Sequence, residues 1–196
     1  MSMWDARYGE EGFAYGTEPN GFLAASVAAL RSPVLCVASG EGRNAVWFAE
    51  QGLEVHCVDG SHVGVRKTLE LAAERGVTVH AEVGDLAAHD LGTDRWGGVV
   101  SIFAHVPPPV RMRLHRGIAA ALAHGGALVL EAYTPDQIGL GTGGPPVVPM
   151  LYTAQVLREE LRGLTFEHLE ETRREVVEGR YHTGTAAVVQ AIARKG

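Results

Sequence analysis

Gly40-Glu41-Gly42-Arg43-Asn44 follows an apolar run over 34–38 and opens a helical pattern carried by Ala45, Val46, Phe48 and Ala49. A glycine turn between strand and helix lets backbone pass close to a ligand with no Cβ in the way. It also aims the free N–H groups of the helix start at an anion. Asp59 ends the next apolar run, 19 residues after Gly40. A carboxylate at that distance accepts hydrogen bonds from both hydroxyls of a ribose, so the pair reads as a nucleoside-cofactor site. Gly40 to Ala45 also satisfies the dinucleotide fingerprint G-x-G-x-x-A, so the motif does not choose the cofactor.

The elements that must hold these residues alternate. Apolar runs of strand length cover 34–38, 53–58, 77–83, 98–103 and 127–133, and helical patterns separate them. Ser61 is a candidate N-cap for a helix through Val65, Leu69 and Ala72, and a second helix carries Val110, Leu114, Ile118 and Ala121 after three prolines. Repeated strand–helix units with near-continuous apolar strands predict a parallel sheet covered on both faces. Two further strand-like runs, 164–176 and 182–193, are joined by four residues only, which predicts a closing antiparallel hairpin. Residues 136–150 hold four glycines and three prolines, an expected long structureless loop at the carboxyl end of a strand, where such sheets bind ligands. Before the first strand runs a leader with Trp4, Tyr8, Phe13 and Tyr15, then a helix from the candidate N-cap Asn20 through Leu30.

A chain of 196 residues reads as one domain over 1–196, with 1–32 capping the site. Its net charge of −6 argues against a nucleic-acid surface, since nonspecific affinity comes from phosphate neutralisation. Lys67 and Lys195 are the only lysines, so no cluster exists for a membrane patch. The N-terminus lacks a signal-peptide pattern and no apolar run reaches the ~18 residues of a membrane span, so a soluble, cytoplasmic protein is expected. Cys36 and Cys57 both fall in predicted buried strands and read as core thiols. The histidines show no metal spacing, and no metal is expected.

This order of features resembles the class I S-adenosylmethionine-dependent methyltransferases over essentially the whole chain. It is most similar to the small tellurite-resistance and thiopurine methyltransferase-like group, through Trp4-Asp5-Ala6-Arg7-Tyr8, Tyr15-Gly16-Thr17-Glu18-Pro19-Asn20 and Gly40 to Ala45. The resemblance implies a three-layer α/β, Rossmann-like sandwich around a sheet of order 3-2-1-4-5-7-6 with strand seven antiparallel. It implies S-adenosylmethionine as cofactor and S-adenosylhomocysteine as product. Cofactor contacts are expected from Ala38, Ser39, Gly40, Gly42 and Asn44, from Asp59 and Gly60 at the ribose, from Asp85 and Leu86 at the adenine, and from Phe103. Arg7, Tyr8, Tyr15 and His182 are expected on the substrate side, Arg7 with the alternative of a surface arginine and His182 of a plain hairpin residue. The chain departs from the family by carrying Cys36 and Ala38 where an acidic residue and a glycine are usual.

Methyl transfer is an in-line displacement in which positioning is worth about 7–11 kcal/mol and a general base roughly 10²–10⁴-fold. A thiol, chalcogen anion or similar small acceptor therefore suits a site with no acid pair. His105, just past the fourth strand, is the candidate base; its alternative is to orient the Pro-rich helix that follows. An NAD(P)-dependent oxidoreductase is a rival reading. Neither lysine, however, has the tyrosine four positions earlier that a short-chain dehydrogenase uses. A non-catalytic cofactor-binding regulatory domain is the other rival.

Overall fold

The computed structural model of the protein describes residues 3–196; Met1 and Ser2, which open the expected leader, lie outside them. Four parallel-type units come first: β1 (Val34–Val37) and α3 (Arg43–Glu50), β2 (Val55–Asp59) and α4 (His62–Glu74), β3 (His80–Val83), then β4 (Trp96–Ile102) and α5 (Pro108–Ala121). β5 (Leu122–Tyr133), α6 (Ala154–Glu160), β6 (Leu164–Val177) and β7 (Thr183–Lys195) complete the sheet, and α1 (Met3–Tyr8) and α2 (Gly21–Ala25) make up the leader. The strand order is β3-β2-β1-β4-β5-β7-β6, with β7 antiparallel to both its neighbours. This is the Rossmann-like sandwich expected from the chain's resemblance.

The central strands are apolar throughout because successive residues serve opposite faces. In β1, Leu35 and Val37 join the core under α5 and α6 with Leu114, Ile118 and Leu157. Val34 and Cys36 join the other core, with Phe48 of α3, Leu71 of α4 and Leu23 of α2. Cys36 and Cys57 stand in register on adjacent strands as buried free thiols.

Three expectations need correction. The run 77–83 forms a strand only from His80, and most of it is exposed, because β3 is the sheet edge and has one covered face at most. The leader helix stops at Ala25 and continues as a 3₁₀ turn over Val27–Ala29, with the Ser26 hydroxyl donating back to Phe22 O at 2.8 Å. The long loop is not structureless, since 3₁₀ turns over Pro135–Gln137 and Val148–Met150 bracket its glycines. No helix among the described residues is long and apolar enough to cross a membrane.

Candidate functional site

A cavity of about 860 Å³ opens at the carboxyl ends of the parallel strands, where the sheet order reverses on either side of β1. Because the order is fixed, its wall divides by strand. Asp59 at the end of β2 and Asp85 beyond β3 lie on one side, Ala38 and Phe103 beyond β1 and β4 in the middle, and Tyr133 at the end of β5 and His182 just before β7 on the other.

The glycine turn is shaped by the acid that faces it. Asp59 Oδ2 accepts the Gly40 N–H at 2.7 Å and Oδ1 accepts the Ser61 N–H at 2.8 Å. Burial pushes the Asp59 carboxyl above its ordinary pKa, and the two N–H groups pull the other way. Each oxygen keeps a lone pair beyond those two bonds, which suits a ribose diol. Ser39 and Gly40 share this wall. Beside Gly60 the space is open, with only Gly84 O as near as 3.9 Å to a Cβ placed there. These features fit a nucleoside.

Gly42 is the exception among the expected cofactor residues. It takes no part in the cavity wall, and a Cβ on it would fall 2.5 Å from Thr68 Cγ2. With φ at 85°, its glycine is required by the close approach of α4 and by its left-handed backbone. Asn44 does face the cavity, and its Oδ1 also accepts the Asn20 N–H at 2.9 Å, tying α2 to the turn. Asp85 and Leu86 line the far end. Asp85 Oδ1 accepts the Ala87 N–H at 2.9 Å, so the acid starts its own turn and is exposed at the rim.

The leader covers the turn. Tyr8 is buried with its hydroxyl against Gly40, close enough that a Cβ there would meet it at 3.0 Å. Arg7 donates to the Tyr15 hydroxyl at 2.9 Å and lies over the Tyr181 ring at 4.7 Å. Sequence reasoning missed the two buried acids that hold this cover. Glu41 accepts the Ala14 N–H at 2.7 Å and pairs with Lys67 at 2.8 Å. Glu178 pairs with Arg43 at 2.6 Å and Arg174 at 2.7 Å, and accepts from Asn20 Nδ2 at 3.1 Å. Burial opposes its charge, yet Arg43 and Arg174 hold the Glu178 carboxyl below the usual carboxylate range. Arg174 reaches on to Glu131, an acid buried near the carboxyl end of β5.

His105 is not placed as a free base. Its Nδ1 lies 2.8 Å from Met150 O, which accepts, so Nε2 carries the lone pair and takes the Tyr133 N–H at 3.1 Å. Burial, with Arg111 adding to it and the Met150 carbonyl opposing, brings its pKa down to about 4. The expectation of a catalytic base there is corrected: both nitrogens are spent joining the end of β5 to the loop that returns at Met150. His182 differs. It is buried in the cavity wall between Tyr15, Phe103 and Tyr133, at ring distances of 4.4, 4.7 and 5.5 Å. Among the described residues no group of three or more metal-binding side chains comes together.

Residues 34–126 match the family model described as a methyltransferase domain. A comparison with curated proteins returns no match. Among solved structures the chain is similar to one determined for the conversion of a disulfide bond into a thioacetal group during echinomycin biosynthesis. Identity there is 20% and the TM-score 0.78, over 98% of this chain and 90% of that one. It is also similar to the CcbJ methyltransferase from Streptomyces caelestis, at 22% identity and TM-score 0.71, covering 98% and 96%. TehB from Haemophilus influenzae follows at 16% and 0.64, covering 89% of this chain and 61% of that one. Residues 34–126 are thus similar to a methyltransferase domain, and the chain as a whole has the fold of the class I methyltransferases.

Proposed function

We propose that the protein transfers a methyl group from S-adenosylmethionine to a small-molecule acceptor, a thiol, chalcogen anion or similar soft nucleophile, by in-line displacement. The observation that carries this reading is Asp59. It stands in the cavity wall at the end of β2, fixed by two backbone N–H groups and still able to accept from a ribose. Asn44 and Gly60 share that wall, Asp85 and Leu86 extend it to the end where the adenine would lie, and the matched methyltransferase domain spans all four. The cofactor supplies the electrophilic methyl on a sulfonium.

What the chain supplies is position and exclusion of water. The leader, held down by Glu41 and Lys67, covers the glycine turn, and the loop ending at Met150 closes the opposite side. His105 has no lone pair to offer, so the acceptor arrives already ionised or with a free lone pair. The resemblance to the tellurite-resistance group rests on the leader and Gly40 to Ala45, and favours a soft acceptor.

Thermal melts with S-adenosylhomocysteine and with NAD distinguish the cofactors, because a ligand at 100 times its dissociation constant adds about 2.7 kcal/mol. A rise with the first alone is expected, and a rise with NAD alone would sink the reading. Methyl transfer is then followed by mass spectrometry over thiols, phenols, amines and chalcogen anions. Binding of the cofactor product without transfer to any of them would favour a regulatory domain.

A further inference from the structure

Two histidines reach the cavity, and only the ring of His105 is hydrogen-bonded. Neither ring nitrogen of His182 has a hydrogen-bond partner among the described residues, and Nδ1 is fully buried without one. A buried polar group left unpaired is costly, and its usual explanation is a missing ligand or water. The backbone that carries the ring is held in place. His182 O accepts the Glu178 N–H at 2.7 Å in the tight turn between β6 and β7, and Glu178 is itself gripped by Arg43 and Arg174.

The loop over residues 136–150 lies directly on the same spot. A Cβ on Gly143 would come within 2.8 Å of His182 Cδ2, and one on Gly144 within 2.8 Å of Tyr133 Cδ2. Both glycines have positive φ, 120° and 86°, so the loop is built to rest flat on these two rings, with Pro145 and Pro146 closing the cavity just beyond. This end is the one farthest from Asp59 and Asp85 across the strand order, which leaves it to the methyl acceptor.

We propose, on the basis of the methyltransferase reading, that His182 is the residue that fixes the acceptor: a planar, non-cationic molecule lies against Phe103, which Tyr133 backs, and hydrogen-bonds an imidazole nitrogen of His182. The charge pattern sets the exclusion. Arg7 and Arg43 face this region, and the nearest acid, Glu178, is already shared between two arginines. A protonated amine here would be a buried charge with no free carboxylate to meet it. The same environment, burial first and Arg43 next, lowers the His182 pKa to about 3, so the imidazole stays neutral and able both to donate and to accept.

Calorimetry on protein saturated with S-adenosylhomocysteine tests this with two probes of similar size, 2-mercaptopyridine and benzylamine. The expected result is that 2-mercaptopyridine binds and benzylamine does not. His182→Phe, which keeps the ring and removes the nitrogens, weakens the first by about five- to tenfold, the size of one neutral hydrogen bond. Affinity for S-adenosylhomocysteine stays unchanged, and His182→Asn or His182→Gln, each restoring a polar atom near one ring nitrogen, recovers part of the loss. Equal binding of benzylamine, no binding of 2-mercaptopyridine, or wild-type affinity in His182→Phe would each overturn the proposal. If His182→Phe fails to fold, the ¹⁵N signals of the His182 imidazole in the wild-type protein decide: they move when 2-mercaptopyridine is added, or the proposal falls. Loss of S-adenosylhomocysteine binding in the wild-type protein would instead strike at the methyltransferase reading itself.

Discussion

Gly40 and Asp59 share a 2.7 Å hydrogen bond, so the turn after β1 is closed by the acid that ends β2. The carboxylate expected to hold a ribose is first of all holding the protein, and the two tasks are linked. Asp59→Ala strips the acceptor from two backbone N–H groups, those of Gly40 and Ser61. It is expected to lower stability by about 2 kcal/mol and to raise the dissociation constant for S-adenosylhomocysteine by roughly ten- to a hundredfold. Denaturant unfolding and titration calorimetry measure the two separately. A folded variant with unchanged affinity removes Asp59 from the cofactor site.

The two cavity histidines give the fold an acid sensitivity. Both have folded pKa values below the ordinary 6.5, about 4 for His105 and about 3 for His182. The unfolded chain therefore binds more protons than the folded one once the pH drops under 6.5. Their contribution is complete above that value and is lost as the pH falls toward the folded pKa values. Asp59 and Glu131, whose carboxyls are raised by burial, act in the opposite sense at the acid end of that range. Comparing proteins isolates one histidine. Near pH 5, His182→Phe is expected to reduce the slope of stability against pH by about 1.4 kcal/mol per unit. Urea midpoints between about pH 7.5 and 4.5 check this, and parallel slopes in wild type and variant would refute it.

Glu178 joins three distant parts of the chain: Asn20 of the leader, Arg43 after the glycine turn, and Arg174 of β6. Both it and Arg43 are buried, with side-chain exposures of 7% and 9%. Removing one partner of such a pair leaves the other charge without compensation, which costs about 3–5 kcal/mol. Glu178→Ala is expected to lose that much in urea unfolding, and the double variant with Arg43→Ala to lose less than the sum of the singles. Strict additivity would mean that the pair is solvated.

The strand–turn–helix grammar around Gly40, the placing of Asp59 at a strand end, the side-chain caps of Asn20 and Ser61 and the closing hairpin were all legible, because each is encoded by neighbours in sequence. Glu178 and Glu41 were not. Their partners lie 158 and 27 residues away, at Asn20 and Ala14, and no period or spacing marks a carboxylate that will be buried by a distant arginine or a turn. The packing reason for Gly42 was hidden likewise: what crowds it is Thr68, a residue of the next helix but invisible in the motif. The glycines and prolines marked the long loop after the fifth strand, but not that two of the glycines lie on Tyr133 and His182.

Ala38 stands where the resembling family usually carries glycine, and the backbone shows what that departure costs. Its φ is +49°, in the left-handed region that an L side chain enters at about 1–2 kcal/mol. The turn has kept the shape a glycine would take, so the alanine bears strain just before Ser39 and Gly40, the residues that face the cofactor wall. Strain of this kind survives only where surrounding structure enforces it, and here the Gly40–Asp59 bond and the Tyr8 ring do so. Ala38→Gly relieves the torsion, although glycine gives back part of the gain through the freedom of the unfolded chain. A net rise of about 1 kcal/mol in unfolding free energy is expected, with affinity for S-adenosylhomocysteine equal or better. A loss of stability on that substitution would show that the Ala38 methyl packs well enough to outweigh its torsion, and that the turn is relaxed as it stands.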